Sequence, residues 1–232
     1  YSNNLDPKSL SFNTVNTIYS DRNGDMWLGT HSGGVNFVQE RQFQHYYVKS
    51  YDGVGLSDNN TTSFVEDIHG KIWVGTDGGG INVLSRHSDT FQYLQSTGDR
   101  SSISTDVITC MKHGTGNYIW IGYWNGGVDK FNYENLEIQR FRNNENDTTS
   151  LQNDNILHIF EEKNGDVWVA TLTGLDLFTK KTNTVEHISL GIGLENYVTS
   201  ILESDGDDFW IGTWGGLKKL NKTTGKYANF TN

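Results

Sequence analysis

The residues best suited to chemistry sit in short turns. "DRNGD" (Asp21 to Asp25) and "SDGDD" (Ser204 to Asp208) each gather several acids within five positions. That is the composition of a short calcium loop. A calcium loop of the helix–loop–helix kind needs oxygen ligands at alternate positions and a distal bidentate Glu. Neither stretch supplies that Glu, while Asp, Asn and Gly also suit the dihedrals of a tight hairpin. Hairpin turns are therefore the expectation. The seven histidines (His31, His45, His69, His87, His113, His158 and His187) are scattered without the spacing of a zinc site. No metal is expected. Gly-rich turns such as "GTDGGGIN" lead into neither a helix nor a Lys in the required frame, so they are not phosphate loops. No cofactor is expected. Cys110 lies in an apolar run and reads as a buried, inert thiol. Carboxylates are plentiful, yet no spacing singles out a pair that would converge across a glycosidic bond. The chain is not read as an enzyme.

The elements that must position these turns are written in the tryptophans. Trp27, Trp73, Trp120, Trp168 and Trp210 stand 46, 47, 48 and 42 residues apart. Each centres an apolar pentad: "MWLGT", "IWVGT", "IWIGY", "VWVAT" and "FWIGT". An acidic or polar turn precedes each pentad, and a Gly turn with a second apolar run follows it. A run with an aromatic or β-branched start closes each copy. Each copy thus predicts four short strands, A to D, joined by an Asp/Asn-Gly hairpin, a Gly-Gly turn and a looser link. Strand B is apolar at consecutive positions, so both of its faces must be buried. Two residues after each Trp comes Gly29, Gly75, Gly122, Ala170 or Gly212, small enough for a neighbouring backbone to approach. Four-stranded units buried between copies of themselves describe an all-β fold, a β-propeller with five blades visible. The copies run approximately over 10–55, 56–102, 103–150, 151–193 and 194–232, so that 1–232 is propeller throughout. The five Trp are assigned to the core.

Composition narrows the partners. The formal net charge of −10 argues against nucleic acid and against anionic membranes. A single Cys permits no intrachain disulfide. No apolar run approaches about 18 residues, so nothing here spans a membrane. Residues 1 to 20 show no signal peptide. "YSNNLDPKSLSFN" at the start aligns with the internal link "FRNNENDTTSLQND" (141–154). A fragment of a longer repeat array is therefore expected.

The unit I-x-x-D-x-x-G-x-x-W-x-G-T-x-x-G-G-[LVI] resembles the two-component regulator propeller repeat. Residues 18–35, "IYSDRNGDMWLGTHSGGV", match it throughout, and 64–81 do so with Phe64 in place of Ile. The third copy departs with a longer hairpin at 113–118 and Tyr123 for Thr, and the fourth with Ala170 for Gly. The turns also resemble the Asp-box of sialidases, but two residues separate Asp21 from Gly24 where that box has one. The two-component resemblance implies a piece of a larger, seven-bladed array in the periplasmic sensor half of a bacterial hybrid receptor. A β-sandwich, an inner-membrane span and a histidine kinase would follow outside this chain. It implies carbohydrate sensing by a homodimeric parent that controls transcription, with the other blades and the β-sandwich as partners and no membrane contact by this segment.

Four strands per blade put the B–C turns and D–A links at one end. The residue four past the core Trp varies: His31, Asp77, Trp124, Leu172 and Trp214. Variation over a fixed scaffold is where binding usually lives. Trp124, Trp214, His31 and Asp77, with Tyr123 and Asn125 beside them and Arg100 and Tyr51 on the links, are the candidate ligand residues. Rings beside polar groups suit an oligosaccharide, whose pyranose faces are apolar and whose rims carry hydroxyls. Packing on a neighbouring blade competes for the two Trp. Turn stabilisation is the expected role of Tyr51, Arg100 and the link Asx residues. Two alternatives stay open: a structural scaffold with the ligand bound elsewhere, and a propeller glycosidase or lyase.

Overall fold

The described residues form twenty strands and one 3-10 turn. The computed structural model describes residues 2, 9–39, 42–48, 55–85, 90–182, 184–204 and 206–230. The first sheet holds β1 (Val15–Ser20), β2 (Met26–Thr30), β3 (Val35–Gln39) and β4 (Gln42–Tyr46). The second holds β5 (Thr61–Glu66), β6 (Ile72–Thr76), β7 (Ile81–Leu84) and β8 (Phe91–Leu94). β9 (Ile108–His113), β10 (Tyr118–Tyr123), β11 (Val128–Asn132) and β12 (Ile138–Phe141) form the third. The fourth contains β13 (Ile156–Glu161), β14 (Val167–Thr171), β15 (Leu175–Thr179) and β16 (Thr184–Ile188). The fifth contains β17 (Val198–Glu203), β18 (Asp208–Thr213), β19 (Gly216–Asn221) and β20 (Tyr227–Phe230). Each sheet has four strands in sequence order. This is the all-β, propeller architecture that the repeat predicts. The 3-10 turn, Gly193–Asn196, precedes β17.

The hairpin formula has a physical reason that the strands alone do not give. Asp21 Oδ1 accepts the backbone N–H groups of Asn23 and Asp25, both at 3.0 Å, which folds the β1–β2 turn. Its Oδ2 accepts the indole N–H of Trp27 at 2.7 Å. Asp67 repeats this with His69, Lys71 and Trp73. In the fourth sheet the longer Glu162 takes the Trp168 indole at 2.7 Å. The acid six residues ahead of the Trp is thus a structural clasp. It satisfies the one polar atom of a buried indole, which would otherwise cost about 1–3 kcal/mol. At the other end, the Thr30 hydroxyl donates to the Gly34 carbonyl and accepts from the Gly33 N–H, and Thr76 does the same with Gly80 and Gly79.

The chain divides into two compact units: residues 1–121 with 131–138, and 122–130 with 139–232. In the first, Trp27, Val35, Leu56, Phe64, Ile72, Val74 and Leu84 share one core. In the second, Trp168, Leu175, Leu190, Val198, Phe209 and Ile211 do. Each core is built from two successive sheets, as amphipathic layers require. Four of the five core Trp are buried. Trp210 is the exception and corrects the expectation of five equal residues: it is half-buried. Trp27 is covered by Phe64 of the following sheet and Trp168 by Phe209 of the following sheet. Trp210 has Phe230 of its own sheet and the Lys219 ammonium over its ring.

The small residue after the Trp is likewise explained. A Cβ at Gly75 would lie 2.6 Å from Ser63 Oγ and 2.7 Å from Ile108 Cγ2, the latter on β9 of the next sheet. Gly75→Val is expected to destabilise the fold by about 1–3 kcal/mol through overpacking. The urea midpoint followed by circular dichroism measures this. A midpoint equal to that of the parent would show that β9 gives way. Cys110 on β9 is half-buried rather than buried, because the inward positions of that strand are Ile108 and Met111.

Candidate functional site

The links that carry the candidate residues are anchored by a residue set that has no signal in any single copy. The residue two past the last Gly of each B–C turn reads Asn36, Asn82, Asp129, Asp176 and Lys218, and all five are buried. Asn36 accepts the Ser11 N–H at 2.8 Å and donates to its hydroxyl at 2.7 Å. Asn82 holds Ser57 in the same way. Asp176 accepts from the Gln152 backbone and side-chain amides at 3.0 and 2.6 Å. Lys218 donates to Glu195 at 3.1 Å and to Asn229 at 2.6 Å. Asp129 accepts from Arg142 and from the Tyr123 hydroxyl. The strand D residue opposite this position adds a second tie. His45 meets the Ser9 carbonyl at 2.9 Å, Tyr93 the Gly55 carbonyl at 2.7 Å and His187 the Ser150 carbonyl at 2.8 Å. His45 and His187 are thus link clasps. Only alignment of the five copies, position by position, could have drawn attention to this set.

The B–C turns are fixed by backbone and free at the side chain. His31 N–H donates to Thr14 O, Asp77 N–H to Asn60 O, Leu172 N–H to Asn155 O and Trp214 N–H to Tyr197 O. Each bond spans the same interval, so the same local frame recurs beneath four different side chains.

Within the first unit, His31 is exposed, with the Phe12 ring 6.5 Å away. Asp77 is exposed, and its Oδ2 accepts from Asn60 at 2.9 Å. Arg100 is exposed on a link turn beside Asp99. The Ser101 and Thr97 hydroxyls hold the Asp99 carboxyl down, to about 2. Tyr51, Asp52 and His87 lie outside the described residues.

Within the second unit, Trp124 is 46% exposed. Asn125 beside it has φ +54°, and its N–H donates to Asn155 Oδ1 at 2.9 Å. Asn155 therefore ties the turn of Trp124 to that of Leu172. Tyr123 leaves the candidate set: it is fully buried and its hydroxyl donates to Asp129 Oδ2 at 2.8 Å. It points to the inner face of the pleat, as the alternation of a strand requires next to an outward Trp124. Trp214 is 62% exposed and stacks on Tyr197, with ring centroids 4.1 Å apart and planes 23° from parallel. This pair sets a ring of the D–A link against a candidate ring. Lys218 and Glu195 hold the link beneath it, and the Gly215 N–H donates to Leu194 O at 3.1 Å. Among the described residues no group of three or more His, Cys, Asp or Glu is placed to hold a metal.

Residues 9–32, 55–78 and 150–173 match the family described as two component regulator propeller. The fold is similar to that of the extracellular domain of the hybrid two component system BT3049 from B. thetaiotaomicron, at TM-score 0.83 and 22% identity over 94% of this chain. The corresponding domain of BT4673 from the same organism gives 0.76 and 24% over 96%. This chain spans 30% of the length of each. Virginiamycin B lyase from Staphylococcus aureus is similar at 0.72 and 12%, over 93% of this chain and 69% of that one. At such identities the likeness is one of fold. No curated protein sequence matches the chain.

Proposed function

Because three blades of this chain carry two component regulator propeller repeats, we propose that it is part of the extracytoplasmic sensor region of a hybrid two-component receptor. In this reading the parent is anchored in the inner membrane and signals through a histidine kinase to transcription. The B–C turns of the blades present an oligosaccharide platform. One observation carries the ligand class: Trp214 keeps 62% of its surface exposed while stacked on Tyr197. Leaving a ring of this size in water forgoes burial worth roughly 2 kcal/mol or more. A flat double ring on a rigid frame fits the apolar face of a pyranose, and the neighbouring Glu195 suits its hydroxyls.

Titration with an oligosaccharide panel tests this. Trp214→Ala is expected to weaken binding by about tenfold or more, since one stacked ring contributes on the order of 1.5 kcal/mol. Trp124→Ala reports whether the turn two blades earlier shares the ligand. Unchanged affinity in both variants would sink the stacking reading. Cleavage of the sugar would favour a propeller glycosidase or lyase, and absence of binding a scaffold.

A further inference from the structure

At the opposite end of the second blade from Asp77, the β5–β6 hairpin and the turn after β11 enclose a cavity of about 230 Å³ within the first unit. Its inner wall is aromatic: Trp73 packs against Phe131 and Tyr133 with centroids 5.8 and 6.0 Å away. Its rim carries His69, Lys71, Gln92, Glu134 and Leu136.

Leu136 is the anomaly. It has φ +63° and is 64% exposed. The turn after β19 has the same hydrogen bonds. Asn132 N–H donates to Glu137 O and Leu136 N–H to Asn132 O, as Asn221 N–H does to Lys226 O and Gly225 N–H to Asn221 O. There the left-handed position is Gly225, at φ +67°. A bulky L-residue in that conformation costs about 1–2 kcal/mol. The exposed side chain recovers little of this by packing. What Leu offers and Gly does not is an apolar wall at the cavity mouth.

The charges on the rim are of both signs. The Lys71 ammonium has no ion-pair or hydrogen-bond partner among the described residues. Glu134 is held in place through Oε1 by His69 Nε2 at 2.5 Å. Asp67 spends its oxygens on the hairpin and the Trp73 indole. A simple carboxylate ligand would meet Lys71 but also the repulsion of Asp67 and Glu134. A simple amine would meet Glu134 but also the repulsion of Lys71. A zwitterion satisfies both.

We propose that this cavity binds a free α-amino acid with an apolar side chain. Its carboxylate pairs with Lys71, its ammonium with Glu134, and its side chain lies against Leu136 and the Tyr133 ring. The site shares no residue with the oligosaccharide platform.

Calorimetric titration of this chain with L-leucine, L-methionine and L-phenylalanine, beside phenylacetate and phenethylamine, tests the proposal. At least one amino acid is expected to bind, and the two singly charged analogues to bind roughly tenfold more weakly or less. Lys71→Met should weaken the amino acid by a similar factor and strengthen phenethylamine, which loses the repulsion of the Lys71 ammonium. Leu136→Gly should weaken the amino acid while the melting temperature stays level or rises, because strain is removed. No binding by any of the three at millimolar concentration would overturn the proposal. So would a lowered melting temperature in Leu136→Gly, which would make Leu136 a packing residue.

Discussion

Trp27→Ala is expected to destabilise the first unit by about 3–5 kcal/mol, the cost of deleting a fully buried aromatic ring. Trp27 is 1% exposed, with Phe37 at 4.4 Å, Tyr46 at 6.2 Å and Phe64 at 6.5 Å between ring centroids. Alanine there leaves a cavity between two sheets, and it also strips Asp21 Oδ2 of the indole N–H that it accepts at 2.7 Å. Trp27→Phe separates the two effects. It keeps most of the ring and forfeits the hydrogen bond, for about 1–2 kcal/mol. Trp210→Ala is the internal control. That ring is half-buried, with Phe230 and the Lys219 ammonium of its own sheet against it. Its loss should cost clearly less than that of Trp27. Urea titrations followed by circular dichroism give the comparison. Equal losses for Trp27→Ala and Trp210→Ala would show that packing between successive sheets is not what the repeated Trp contributes.

Asp176→Asn is expected to stabilise the chain at neutral pH. Burial pushes the Asp176 carboxyl up from 3.8 to about 6, against the opposing help of the Gln152 amides and His187. The groups facing it are Gln152 on the link and His187 on β16, whose Nε2 lies 3.9 Å from Oδ1. An acid that binds its proton more tightly in the folded state makes stability fall as pH rises. The fall begins near the unfolded value, about 4, and is complete above about 6. Above that window the buried charge costs roughly 2–3 kcal/mol. Asparagine keeps an acceptor for the Gln152 N–H and removes the charge. It is also the residue that the first two blades use at this position, Asn36 and Asn82. Thermal unfolding at pH 4 and pH 7.5 should show the variant level with the parent at the lower pH and ahead at the higher. A variant less stable at the higher pH would mean that His187 more than compensates the buried carboxylate.

These two positions also show how far the sequence reached. Trp27 was legible because its environment is written locally and recurs: the Trp in five copies, the Gly in four and the acid in three. A strand B with both faces apolar, a clasping acid six residues before the Trp and a Gly two residues after it fall within one hairpin. Repetition separates them from chance. The blades, their strand order and the hairpin turns follow from the same short-range pattern, since antiparallel neighbours joined by tight turns need no distant partner. Trp124 and Trp214 could be marked as variable for the same reason.

Asp176 was not legible. Its role depends on a link residue 24 positions away, as that of Asn36 depends on Ser11 25 positions away. A polar residue inside strand C reads as an ordinary outward position until the folded chain shows a link amide against it. Tyr123 was misplaced for a related reason. The pleat sends Tyr123 and Trp124 to opposite sides, and only the Asp129 carboxylate at 2.8 Å reveals which side is closed. The half-burial of Trp210, the stacking of Trp214 on Tyr197 and the strained Leu136 beside an aromatic cavity are likewise decided between segments that one repeat cannot see. The sequence by itself determined the blade, because a blade is held by contacts within about 45 residues of chain. What each blade exposes, and what it buries against its links and its neighbour, was left to the tertiary structure, because those contacts join different copies of the repeat.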